Sequence, residues 1–300
     1  MKYFSTIFIL LFCFPLFAQE DLMGMLEDEV QQENQKGKVI ATFKGTKLIN
    51  AQTIQTTKKR TLEFNIAHRF GNMDITGSTG KHTLYGIENA SNIRFSLDYG
   101  FTDKISAGIG RSKMNEHIDG HVKFRFLEQK EKGLPVSVAY YANAAISPVA
   151  NIADDDFNNR WSYVHQLIIA SKIDRSISLQ VLPTFVHRNY VNQTVLHPKN
   201  GSKDQNDLFA LGFAGRIKIT KRLAFVADYF LTFSDFRDSD NNYYNALGVG
   251  VEIETGGHVF HINLTNSEGI IENDFIPSTT DSWYDGNYKL GFNISRVFSF

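Results

Sequence analysis

His117, Asp119 and His121 carry side chains that hold divalent metals, two imidazoles and a carboxylate within five residues. Their spacing argues against a shared ion. In an extended chain His117 and His121 share a face but lie about 13 Å apart, at about 3.3 Å per residue. On a helix the same pair would meet. His258 and His261 fall on opposite faces of a strand. A second constellation, His261, Asn263 and Ser267, has the types of a base, an orienting group and a nucleophile. It would make a membrane-embedded, phospholipase-like hydrolase, but strand parity turns His261 away from lipid. The oxygen-rich runs 154–159, 235–242 and 272–274 could bind calcium or cation-bridged lipopolysaccharide. Their spacing matches no calcium loop, so solvated loops are the plainer reading. No catalytic residue, no metal and no other cofactor is expected.

The elements that must position any such chemistry are strands. From Thr61 onward the apolar residues recur with period two through about twelve segments. Leu62, Phe64, Ile66 and Phe70 mark the first; Ile93, Phe95, Leu97 and Tyr99 the second; Ile118, Val122, Phe124 and Phe126 the fourth. Phe209, Leu211, Phe213, Ile217 and Ile219 mark the eighth, and Leu247, Val249, Val251 and Ile253 the tenth. The sixth and seventh, residues 163–173 and 177–190, alternate less cleanly. Connections at 102–104, 174–176, 220–222 and 255–257 are tight turns, with a longer one at 127–135 on the same side, whereas 71–91, 146–162, 191–206, 234–243 and 266–287 are long and polar, with one short exception at 112–115. Short turns on one side and long loops on the other are the pattern of an outer-membrane β-barrel with its short side in the periplasm. A secreted β-sandwich also alternates, but its strands run about 5–6 residues and give no reason for one-sided loops.

The final segment ends on Phe300. Tyr288, Leu290, Phe292, Ile294, Phe298 and Phe300 share one face, opposite Lys289, Gly291, Asn293, Ser295 and Ser299. Such an aromatic-ended strand is expected to meet lipid on one face. Tyr288, Leu290, Phe292, Phe298 and Phe300 are the candidate signal for the barrel-assembly machinery.

By the same parity an inward face collects Glu63, Arg69, Arg94, Asp98, Asp119, Lys123, Arg125, Arg216, Lys218, Asp228, Glu252, Glu254 and Lys289, seven bases against six acids. A strongly ion-selective pore would carry one sign. The mixture points to a polar network that fills or narrows the lumen, in which Arg69, Arg94, Asp98, Asp119, Lys123, Arg125, Arg216, Asp228, Glu252 and Glu254 are the candidate members. A solute path of mixed polarity is the other expectation. Twelve strands lie between barrels filled by side chains and barrels wide enough for a channel.

Residues 1–18 read as a cleaved export signal: Lys2, an apolar run to Phe17 and a small residue at Ala18. Cys13 is the sole cysteine and lies in that run, so no disulfide or cysteine ligand is expected in the exported chain. The net charge is −1, and losing the signal removes one base and no acid, which gives no electrostatic case for nucleic acid. No later stretch approaches 18 consecutive apolar residues, leaving a closed barrel as the way to cross a membrane. Residues 19–60 form a separate segment, with six acids and no base over 20–33 and seven bases and no acid over 36–60. A solvated periplasmic extension is the favoured reading; docking a periplasmic partner through 20–60, or plugging the barrel, are the alternatives. Residues 38–50 could add a strand. Residues 61–300 form the barrel.

Several stretches resemble a family of Gram-negative outer-membrane barrels that is a domain of unknown function. They are ATFKGTKLIN at 41–50, LEFNIAHRFG at 62–71, YGFTDKISAGIGR at 99–111, Asp119 with Lys123 and Arg125, and ETGGHVFHINLTNS at 254–267. The resemblance covers about residues 38–300 and implies export and a barrel. It brings no catalytic or binding residue. The expectation is a non-enzymatic, porin-like outer-membrane protein contacting lipid, either a small-solute channel or a scaffold.

Overall fold

Alternation along β1 (Thr61–Asn72) buries Thr61, Glu63, Ala67 and Arg69 on one side and turns Leu62, Phe64, Ile66 and Phe70 to the other. The same rule governs β2 (Ala90–Thr102), β3 (Ile105–Ser112), β4 (Ile118–Leu127), β5 (Ser137–Ile146), β6 (Trp161–Lys172), β7 (Ile177–Arg188), β8 (Asp207–Lys218), β9 (Leu223–Phe233), β10 (Ala246–Thr255), β11 (His258–Thr265) and β12 (Lys289–Ser299). This computed structural model describes residues 42–75, 77, 80–149 and 156–299. The export signal, the acidic run 20–33 and Phe300 therefore lie outside the described residues.

Each strand pairs antiparallel with its neighbours in sequence, and β1 pairs with β12, with Leu62 opposite Phe298 and Ile66 opposite Ile294. The sheet is a closed twelve-stranded barrel. Closure leaves no edge with unpaired backbone groups, the condition for a sheet to sit in hydrocarbon, and it rules out the sandwich. The outer surface is apolar: Phe95, Leu97, Ile109, Val122, Phe124, Phe209, Phe213, Ile217, Phe225 and Ile262 are all exposed. Among the described residues no helix is long and apolar enough to span a membrane. Leu290, Phe292 and Phe298 lie on β12; Tyr288 precedes it and stacks on Trp283 at 4.8 Å.

The interior differs from a wet hollow in three ways. The inward faces of β6 to β9 are largely apolar: Val164, Ile168, Leu182, Val186, Leu208, Val226 and Phe230 are fully buried. That explains the blurred alternation of β6 and β7, since both faces meet apolar surroundings.

The second difference concerns residues 42–57. They are not a solvated periplasmic extension and not a barrel strand. They form a hairpin inside the barrel, with Lys47 bridged to Gln52, Leu48 N–H donating to Ala51 O at 2.9 Å and Thr53 N–H to Thr46 O at 3.0 Å. Phe43, Leu48, Ile49, Ala51 and Ile54 are buried. Residues 58–60 then run along the rim, where Arg60 N–H donates to Gly100 O. The physical reason is the apolar wall just described, which needs apolar partners to cover it.

Third, the run 272–274 is not a solvated loop. The connection 266–288 folds inward and carries a short helix, α1 (Glu272–Ser278), whose Glu272, Asn273, Asp274, Phe275 and Ile276 are buried. Phe275 packs edge-on against Phe230 of β9, centroids 4.8 Å apart. In the other two oxygen-rich runs the described residues include turn caps: Asp156 accepts from Asn158 N–H, and Asp238 from Asp240 and Asn241 N–H.

Candidate functional site

Strand parity sets the wall of the lumen, and the hairpin sets what the wall touches. Both hairpin ends lie at the turn end of the barrel: Lys44 Nζ reaches Glu254 Oε1 at 2.9 Å, and Thr56 Oγ1 donates to Asp103 O at 2.7 Å. The tip, residues 48–51, extends past mid-barrel. There Asp228 of β9 accepts the main-chain N–H of Asn50 at 2.7 Å and of Ala51 at 3.0 Å, and its second oxygen accepts from Asn50 Nδ2 at 3.0 Å. Arg69 of β1 donates to Ile49 O at 2.8 Å, and Asn293 of β12 donates to the Leu48 and Ile49 carbonyls. Lys123 of β4 donates to three hairpin carbonyls, Thr46, Thr53 and Gln55, at 3.0, 3.1 and 3.1 Å. Gln180 of β7 donates to Gln52 O at 2.6 Å, and Glu63 of β1 accepts from Thr46 Oγ1 at 2.9 Å. Contacts to β1, β4, β7, β9, β10 and β12 place the hairpin within the lumen rather than against one side.

The ten candidate network residues divide into two sets. Arg94 pairs with Asp119 through both guanidinium nitrogens, and His121 bridges Asp98 at 2.6 Å and Asp119 at 3.3 Å. Asn143 and Asn65 complete this cluster by donating to Asp119 and Asp98. Arg216 pairs with Glu252 at 2.7 Å, and Glu252 also meets His261 at 3.2 Å. These are wall-to-wall pairs. Arg69, Lys123, Arg125, Asp228 and Glu254 instead hold the hairpin, Arg125 through Gln55 Oε1 at 3.3 Å. Of the other inward charges, Lys289 pairs with Asp281.

A cavity of about 50 Å³ remains between the hairpin and the polar wall, lined by Thr46, Lys47, Arg94, Asp98, His121, His261 and Asn293 among others. It has room for a few waters. From the loop end, α1 meets the hairpin: Lys47 Nζ donates to Ile270 O, and Phe275 and Ile276 join Leu48, Ile49 and Ile54 in one apolar cluster. Burial holds the Lys47 ammonium down at about 8 against the opposing pull of Glu272, whose own carboxyl burial pushes above its usual range.

His117 Nδ1 stands 2.9 Å from Asp274 Oδ1, so His117 and His121 serve different carboxylates. His261 is inward and buried, and Ser267 Oγ donates to Gly269 O, so neither addresses the other. Parity puts Asn293 on the polar face of its strand, but an inward list drawn from charges passes over it and Asn143, and Asn50 lies on no strand. The available signal for the hairpin was the unbalanced apolar content of residues 43–54.

Among curated proteins none matches this chain. Solved structures with a similar course include a NanC porin, 10% identical with a TM-score of 0.48, covering 80% of this chain and 99% of that one. A KdgM porin in complex with disordered oligogalacturonate is 6% identical, with a TM-score of 0.44 over 80% and 99%. The outer membrane protein Omp33 of Acinetobacter baumannii is 12% identical, with a TM-score of 0.41 over 82% and 100%. At such identities the likeness extends to the barrel alone. The family profile described as a membrane bound beta barrel domain of unknown function matches residues 43–298, nearly all of the barrel and its hairpin, and this chain belongs to that family.

Proposed function

We propose that this protein is a non-enzymatic outer-membrane channel for small solutes, held shut by its own N-terminal hairpin. One observation carries the reading: the twelve strands close without residues 42–57, and those residues occupy the lumen without joining the sheet. Displacing them leaves the wall's backbone pairing intact.

The energetics suit a reversible plug. Arg69, Lys123 and Asp228 find their partners on the hairpin rather than on one another. Buried charges are costly unless paired or hydrated, and an emptied lumen would hydrate all three. The apolar contacts of Phe43, Leu48, Ile49 and Ile54 favour the closed form by about 1.5–3 kcal/mol for each fully buried side chain. Exposure of the apolar wall thus opposes opening, while solvation of the polar wall assists it.

The test is single-channel recording in planar bilayers. The full chain should be silent, and the full chain with Asn50→Pro, which removes two of the three hairpin donors to Asp228, should give conductance steps. Silence of both would favour a scaffold role for a permanently filled barrel.

A further inference from the structure

The patch that holds the hairpin tip reads main chain. A carboxylate, Asp228, takes two successive peptide N–H groups. A guanidinium and a carboxamide, Arg69 and Asn293, take the two preceding carbonyls. All three wall side chains are more than nine-tenths buried. Beside them Asn263, on the adjacent strand and equally buried, keeps both amide atoms without a partner. Gly248 shapes the floor: a Cβ there would stand 2.7 Å from Ile49 Cγ2 and 2.9 Å from Asp228 Oδ1. Beyond them lies the apolar wall of β6 to β8, whose Val164, Ile168, Leu182, Val186 and Leu208 form one cluster with the aliphatic side chains of the tip.

We propose that this patch is the solute site of the opened barrel, that its ligands are short peptides with aliphatic side chains, and that the hairpin tip is their built-in mimic. The inference rests on the channel reading above. Peptide is the chemistry that offers an N–H pair and a C=O pair on one edge and apolar groups on the other. A neutral saccharide offers hydroxyls all round, which can pair with Asp228 and Arg69 but leave the apolar wall uncovered.

The experiment uses the full chain with Asn50→Pro and, independently, the full chain with Ala51→Pro, which removes the other main-chain N–H that Asp228 accepts and leaves every wall residue in place, each in planar bilayers. The probes are the acetylated and amidated tetrapeptide Leu-Ile-Asn-Ala and a neutral trisaccharide of similar mass. The expected result is half-block of the current by the peptide at a concentration about tenfold or more below that of the trisaccharide. Adding Arg69→Met to either variant should bring that ratio close to one. Conducting variants that the two probes block equally overturn the peptide site and leave the channel standing. If neither variant conducts, the channel reading falls and this site falls with it.

Discussion

Asp228 and Asn50, 178 residues apart in sequence, are joined by two hydrogen bonds, from the Asn50 main-chain N–H at 2.7 Å and its side-chain amide at 3.0 Å. Asp228→Ala would leave the N–H groups of Asn50 and Ala51 buried without acceptors, and should weaken hairpin docking by about 2–5 kcal/mol. Asp228→Asn keeps one acceptor and should cost less. A cysteine placed at Ile49, with Cys13 the only native one, reports the change as faster reaction with a membrane-impermeant thiol reagent.

Gly248→Ala tests the same docking without altering charge. The added methyl would press on Ile49 and on the Asp228 carboxylate, and overpacking of this kind costs about 1–3 kcal/mol. Thiol reactivity of a cysteine placed instead at Leu48, which keeps Ile49, should rise, while the heat-dependent gel mobility of the barrel stays as in the parent.

The Arg94–Asp119 pair belongs to the wall and not to the plug. Arg94→Leu alone should destabilise the barrel by about 3–5 kcal/mol, because it leaves Asp119 buried with only His121 and Asn143 as partners. Combining it with Asp119→Leu should recover much of that loss. Urea unfolding midpoints in detergent, arranged as a double-mutant cycle, measure the coupling.

Lys47 gives the docking a pH dependence. Its pKa falls from 10.5 when free to about 8 when docked, because burial disfavours the charged form. The undocked hairpin therefore binds more protons between pH 8 and 10.5, and docking strengthens as pH rises through that window. Spontaneous openings of the Asn50→Pro channel should become rarer from pH 7 to pH 10, and adding Lys47→Met should make that dependence shallower.

Much of the barrel was legible in the sequence because lipid imposes one face on every strand. Phe95, Leu97 and Tyr99 on β2, or Phe209, Leu211 and Phe213 on β8, announce their outward side directly. β6 and β7 were harder, since Val164, Ile168, Leu182 and Val186 answer to an apolar interior. Plugging the barrel is among the readings residues 20–60 allow, but the hairpin itself is hidden because its apolar residues follow no period: a tip and two short arms carry no helical or strand repeat. In the same way Ile270, Ile271, Phe275 and Ile276 sat in a connection that looked polar by its acids. Parity brings wall charges inward, but whether such a charge meets the wall or a second segment depends on contacts at separations as unlike as 20 residues, for Arg69 and Ile49, and 210, for Glu254 and Lys44.

Single-channel recording of the full chain before and after release of residues 42–57 bears most directly on whether this segment closes the lumen. Silent parent protein, with discrete conductance steps once Asn50→Pro frees the tip, is the predicted result. Steady conductance from the parent with the hairpin still docked would contradict it.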